Sequence, residues 1–108
     1  MAITAKSLAD GQVAAAKGTI YTCPALTKAY IKQVSFSNVA ATTETVRFYV
    51  KRSGSTSRVV ARGVLSTLET LVAVDKDAAI TLSAGDVLEA DTSNPASVDF
   101  LVTGAEEA

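Results

Sequence analysis

The sequence predicts an all-β protein: a single antiparallel β-sandwich, jelly-roll-like, with about seven or eight short strands. The clearest strand covers residues 45–51 (TVRFYVK), where residues of one face are apolar and residues of the other are polar or aromatic. This period of two is typical of a strand with one buried face. Turn-forming residues separate such stretches at regular spacing, and no helical segments alternate with them as a parallel sheet requires.

The predicted strands are residues 19–23, 30–38, 45–51, 58–62, 68–74, 80–82, 87–91 and 98–103. In the second strand the alternation changes phase near Lys32 and Gln33, which predicts a bulge. The fourth strand is expected to pair with residues 45–51 as a hairpin and to stop at Gly63. Gly85 lies in a Ser-Ala-Gly-Asp turn and is expected to take a positive φ. Residues 104–108 form an acidic tail in this interpretation.

Residues 1–17 are predicted to be an N-terminal arm, and residues 18–108 the sandwich domain. The arm is rich in Ala and small polar residues, offers few anchors for a core, and contains a possible helical turn at residues 14–16. An arm of this kind is ordered when a neighbouring chain holds it. We therefore expect it to contact partners through Ile3, Lys6, Leu8 and Val13.

The composition limits the kinds of catalytic and metal-binding site that the chain can contain. A chain of 108 residues corresponds to one domain, and the single cysteine, Cys23, excludes an intrachain disulfide and is expected to be a small buried side chain. The absence of His removes the commonest general base and metal ligand. The N-terminus lacks a signal-peptide pattern and no stretch approaches ~20 apolar residues. We therefore expect synthesis in the cytoplasm and no membrane partner.

The formal charge is unevenly distributed along the chain. Residues 1–60 carry eight basic and two acidic residues, a net +6, whereas residues 61–108 carry two basic and nine acidic residues, a net −7. If the difference persists in space, copies could pack a basic face against an acidic one. The alternative is a solvated surface on which both signs are mixed.

No catalytic or cofactor motif is present, and we expect no cofactor and no enzyme activity. The carboxylate pair Asp75 and Asp77 offers too few oxygens for a calcium loop. Glu89 and Asp91 share a strand face that we expect to be solvated, without the cleft that a glycosidase pair needs. The serines lack a nucleophile elbow and a His partner, and no phosphate-binding loop occurs.

A basic cluster flanks the Ser-rich loop at residues 53–57: Lys51, Arg52, Arg58 and Arg62. It predicts contact with phosphate or with an acidic protein surface. Single-stranded nucleic acid would need stacking aromatics, and Tyr49 alone is close in sequence. An exposed hairpin kept soluble by its charge is the preferred interpretation over nucleic-acid binding.

Four stretches carry a family resemblance: residues 17–24 (KGTIYTCP), 28–34 (KAYIKQV), 46–50 (VRFYV) and 80–88 (ITLSAGDVL). Their succession resembles small β-sandwich virion structural proteins of tailed bacteriophages, over most of the chain beyond residue 17. The resemblance implies a non-enzymatic building block. We favour a capsid cement or decoration protein that binds the major capsid protein as a homotrimer on the head surface and resists DNA pressure.

Three other functions stay open. The first is a tail, baseplate or fibre-associated protein that contacts a receptor. The second is a carbohydrate-binding module, which would need exposed aromatics, with Tyr21, Tyr30 and Tyr49 as the candidates. The third is a nucleic-acid-binding protein that uses the basic cluster and binds in a salt-sensitive way.

Overall fold

The computed structural model describes residues 3–74, 79–94 and 97–107, and these residues form nine β-strands and no helix. The strands are β1 (Ile3–Gln12), β2 (Gly18–Thr22), β3 (Lys28–Asn38), β4 (Glu44–Lys51), β5 (Arg58–Leu65), β6 (Thr70–Val74), β7 (Ile80–Leu82), β8 (Val87–Thr92) and β9 (Val98–Glu107). The predicted all-β class is confirmed. No helix in these ranges is long and apolar enough to cross a membrane.

The strands form two antiparallel sheets that pack face to face. Sheet 1 has the order β1-β9-β3-β6, with β7 also paired to β3, and sheet 2 has the order β2-β8-β4-β5. Early strands lie beside late ones in both sheets, because β1 pairs with β9 and β2 pairs with β8. This nesting is the jelly-roll arrangement, and the predicted antiparallel sandwich is confirmed.

The core lies between the inward faces of the two sheets, with β3 and β4 contributing its largest side chains. Val46 and Phe48 are fully buried and Val50 nearly so, which confirms the alternation predicted for this strand. Phe36 of β3 meets Phe48 of β4 with ring centroids 5.8 Å apart at 55°. Tilted aromatic pairs of this kind add stability beyond the area that they bury.

Three local predictions are confirmed. The pairing of β3 with β9 shifts register between Ile31 and Gln33, which is the predicted bulge. Strands β4 and β5 form the predicted hairpin, with Arg47 opposite Arg62. Gly85 has a φ of 87°, as its turn requires.

The N-terminal segment differs from the predicted arm over much of its length. Residues 3–12 form β1, an edge strand that runs antiparallel to β9, and the expected helical turn at residues 14–16 is absent. Val13 is 1% exposed and belongs to the core, and its N–H donates to the carbonyl of Val98 at 2.8 Å. Backbone hydrogen bonds to β9 therefore hold a segment whose small side chains give a weak strand signal.

Two strands are longer than predicted. Strand β5 continues through Gly63 to Leu65, and β9 continues through the predicted acidic tail to Glu107. Strand β9 is central in sheet 1, so both of its edges are hydrogen-bonded. At Gly104 an added Cβ would lie 2.1 Å from the carbonyl oxygen of Tyr30, so the close approach of β9 to β3 there requires glycine.

The buried side chain of Asn38 joins the connections at one end of the sandwich. Its Nδ2 donates to the carbonyls of Thr42 and Leu65, both at 2.9 Å, and to that of Ser66 at 3.2 Å. Its Oδ1 accepts from the N–H of Ala40 at 2.9 Å. One amide therefore satisfies backbone groups of the β3–β4 connection and of the β5 end.

We predict that Asn38→Asp lowers the free energy of unfolding by about 3 kcal/mol, because a carboxylate oxygen would replace the donor that faces buried carbonyls. The matched control is Ser37→Ala, which removes only the exposed hydrogen bond to Thr70 and should cost less than about 1 kcal/mol. Urea unfolding of both variants measures the difference. Equal losses would contradict the role of the amide.

Candidate interaction surface

The four residues of the predicted basic cluster lie on or beside the β4–β5 hairpin, but they have different surroundings. Lys51, Arg58 and Arg62 are exposed, and among the described residues none of the three has an ion-pair partner. Lys51 and Arg58 lie next to the loop, at the ends of β4 and β5. Arg62 lies further along β5, opposite Arg47.

Arg52 is exposed, but it belongs to a hydrogen-bond cluster around the buried carboxylate of Asp86. Its Nη1 donates to the carbonyl of Thr81 at 2.8 Å and to Oδ2 of Asp86 at 3.0 Å. Asp86 is 5% exposed and also accepts from the N–H groups of Ser53 at 2.8 Å and Ser83 at 2.9 Å. Arg52 thus joins the hairpin loop to the β7–β8 turn.

The pKa of Asp86 follows from these contacts. Burial by itself raises the pKa, but the hydrogen bonds from Ser53, Ser83 and Arg52 outweigh it and hold the pKa below its usual value. Asp86 is therefore a charged structural group. The predicted contact role of Arg52 is correspondingly limited, since its guanidinium is used within the chain.

The outward face of sheet 2 holds a second carboxylate cluster. Asp91 accepts from Arg47 Nε at 3.0 Å and from the Tyr49 hydroxyl at 2.6 Å. The hydrogen bond from the Tyr49 hydroxyl to Asp91, and then burial, raise the pKa of Tyr49. Lys17 Nζ lies 5.2 Å from the centre of the Tyr49 ring, which is within cation–π range.

Glu89, the other member of the predicted carboxylate pair with Asp91, accepts a hydrogen bond from Ser57. The two carboxylates therefore have separate structural partners.

Glu44 is buried near Asn38, at the end of the sandwich where β4 begins, and it has no ion-pair partner among the residues that the structure describes. Its carboxylate accepts from the hydroxyls of Thr42 and Ser93, both at 2.8 Å, and from the Asn94 amide at 3.1 and 3.2 Å. The hydrogen bonds from Thr42 and Ser93 lower the pKa of Glu44 and outweigh burial, which raises it. Neutral donors therefore stabilise a buried negative charge.

The tyrosines proposed for glycan contact are also engaged. Tyr21 is buried and donates to Glu106 at 2.5 Å, whereas Tyr30 is half-buried and donates to Glu107 at 2.8 Å. Burial, followed by the hydrogen bond to Glu106, raises the pKa of Tyr21 well above its usual range. With Tyr49 also buried, none of the three provides the exposed flat ring that a carbohydrate-binding module needs.

The buried thiol of Cys23 matches its expected packing role. Burial, and then nearby Asp86, raise the pKa of Cys23, which disfavours a reactive thiolate. Among the described residues no three His, Cys, Asp or Glu side chains are placed to hold a metal ion. The candidate pair Asp75 and Asp77 lies outside the described residues.

The predicted N-terminal contact residues fall into two groups. Ile3 and Lys6 lie in β1, opposite Glu107 and Gly104, and their side chains are outside the described part of the structure. Leu8 is half-buried and packs against the core, and Val13 is within it. Leu8 and Val13 therefore pack within the monomer, and the contact role expected of all four residues stays a prediction.

Sequence reasoning missed a set of exposed apolar side chains on the strands: Val59, Val60, Val64, Val72 and Leu101. Three of them lie on β5, an edge strand of sheet 2. The adjacent pair Val59-Val60 is a usable signal, because neighbouring residues in a regular strand face opposite sides. Exposed valines on an edge strand indicate a surface suited to contact.

Comparison with known proteins supports the fold. No protein-family model and no curated protein matches the sequence. A chain from the structure described as "Bacillus endospore appendages form a novel family of disulfide-linked pili" is similar over 98% of this chain and 88% of that one, with 16% identity and a TM-score of 0.53. At this identity the likeness concerns the fold alone.

A chain from the structure of infectious bursal disease virus Gt strain is similar over 97% of this chain and 32% of that one. The identity is 15% and the TM-score 0.39. A likeness at this level carries no argument about this protein.

We predict that Glu44→Gln has a lower free energy of unfolding than the wild type at pH 7. The difference between the two proteins should become smaller in acid. The folded-state pKa of Glu44 lies below its usual value of 4.5, so its contribution is present above that pH and is lost as the pH falls through the folded-state pKa. Thermal unfolding of both proteins from pH 7 down to pH values below 4.5 measures this difference. Glu69→Gln, at an exposed turn, is the control with the same charge change, and a constant difference for Glu44→Gln would contradict the assignment.

Proposed function

We propose that the protein is a non-enzymatic virion structural protein, a cement protein that binds the major capsid protein on the head of a tailed bacteriophage. One observation carries the proposal: the buried or half-buried carboxylates are bonded within the chain, while Lys51, Arg58 and Arg62 are exposed and have no ion-pair partner in the part of the chain that the structure describes. The described acidic groups so engaged are Glu44, Asp86, Glu89, Asp91, Glu106 and Glu107. Such a surface favours binding an acidic partner over chemistry.

The capsid contact in this proposal is the loop end of the β4–β5 hairpin. Lys51 and Arg58 are exposed there and free to meet carboxylates of the shell, whereas Arg52 fixes the loop through Asp86. The fixed loop reduces the ordering cost of binding. The protein acts mechanically as a homotrimer whose several weak contacts bridge neighbouring capsomers, so that avidity replaces high affinity at each site.

The contribution of residues 1–17 to assembly stays a prediction. In the monomer β1 covers one edge of β9, which leaves the outer edge and the outward face of β1 available for contact through this segment. A second candidate function is a subunit of a tail or fibre. This second function is favoured by the fold, which the chain from the Bacillus endospore appendage structure shares over almost the whole length of this protein.

We predict that a trimer is the stable species of the wild type in light scattering of dilute protein, and that the wild type co-sediments with undecorated heads. The double variant Lys51→Glu/Arg58→Glu should bind heads at least about tenfold more weakly at moderate salt, with an unchanged melting temperature. Lys28→Glu/Lys32→Glu makes the same charge change on exposed residues of β3 and is the control. Equal head binding by both double variants would contradict the hairpin contact, and wild-type binding to tails instead of heads would favour the second candidate.

A further inference from the structure

Among the strand side chains that the structure describes, the large apolar ones that are exposed lie in two areas on the outward faces of the sandwich. One area, here the cationic patch, consists of Val59, Arg62 and Val64 on β5 with Arg47 on β4. The other, here the acidic patch, consists of Asp10 on β1, Asp99 and Leu101 on β9, and Val72 on β6. Val60, at the register shift of β5, borders the cationic patch, so the two areas account for the five large exposed hydrophobics among the described strand side chains.

The cationic patch contains an uncompensated charge. Arg62 lies directly opposite Arg47 on sheet 2, and like charges at such positions destabilise a sheet. Arg47 is neutralised by Asp91, but Arg62 is exposed and has no ion-pair partner among the described residues. Val64 and Val59, 56% and 59% exposed, lie on β5 on either side of Arg62.

The acidic patch has the complementary composition. One row across sheet 1 contains Asp10, Leu101, Ser35 and Val72, as the strand registers show. Asp99 lies two residues from Leu101 on β9, so its side chain is on the same face. Asp10 and Asp99 are both exposed, and the small Ser35 leaves the row between Leu101 and Val72 flat.

We propose that the cationic patch of one copy of this chain docks on the acidic patch of a second copy. Arg62 would meet Asp10 and Asp99, and the exposed valines of β5 would pack on Leu101 and Val72. A second copy is favoured because one chain presents both complementary surfaces. Docking of the cationic patch on itself would bring Arg62 close to its own counterpart, which charge repulsion disfavours.

The contact is head-to-tail, because the two patches are different surfaces. They lie on the outward faces of sheets 1 and 2, which are opposite sides of the sandwich. Copies joined in this way add in a row rather than close into a compact trimer. The contact is therefore additional to the three-fold association proposed above, and it uses neither Lys51 nor Arg58.

Charge reversal at each patch tests the contact with the full chain. Arg62→Glu and Asp99→Lys should each weaken self-association at least about tenfold in sedimentation velocity, since each reversal places like charges across the interface. An equimolar mixture of the two variants should associate again. In the mixture an interface between the two different variants is either the native pair or the swapped pair, and both are attractive, whereas an interface between two copies of the same variant stays repulsive.

Controls separate this contact from a general charge effect and from head binding. Lys32→Glu, outside both patches, should associate like the wild type. No variant should melt below the wild type, and Arg62→Glu, which replaces the like-charge pair with Arg47, should melt at the same temperature or slightly higher. A wild type that stays one closed species at all concentrations would overturn the proposal, as would a mixture that fails to re-associate. Head co-sedimentation is measured separately, so that head binding without self-association would overturn only the head-to-tail contact.

Discussion

The hydrogen bonds of buried Asn38 are the interaction on which this sandwich most depends. A jelly roll passes its chain repeatedly from one sheet to the other, and the connections leave backbone groups that need partners away from water. Asn38 supplies them at the end where β4 begins, beside the buried carboxylate of Glu44. At the opposite end, Asp86 binds two backbone N–H groups and Arg52. Polar side chains thus fix both ends of a core made mainly of Val, Leu, Ile and Phe.

This use of polar groups determines what remains on the surface. Carboxylates such as Glu44, Asp91 and Glu106 are held by hydroxyls, amides or arginine within the chain. Cations such as Arg58 and Arg62 have no such partner among the described residues. The chain is weakly acidic overall, with a formal net charge of −1, yet its β4–β5 hairpin is basic and carries exposed valines. A surface of this kind accounts for assembly better than for chemistry.

The sequence predicts the fold class well, because period-two alternation and turn residues are local signals that the sheets preserve. It predicts even the bulge at Lys32, where the alternation changes phase. It fails for β1, since a strand of small residues is recognised only by its pairing with β9. It also treats the basic residues of the hairpin as one cluster. The separation of Arg52 from Arg58 depends on Asp86, a residue 34 positions from Arg52 that only the fold brings close.

Hydrogen–deuterium exchange of the free and the assembled protein tests the central claim most directly. If the outward faces make the contacts and the polar clusters serve the monomer, assembly should slow exchange in residues 51–65 and 99–101. The N–H groups of residues 38–40 at one end, and of Ser83, Gly85 and Asp86 at the other, are hydrogen-bonded within the chain, so they should be protected already in the free protein and stay unchanged. Slower exchange in those connections on assembly, with no change in residues 51–65, would contradict the account.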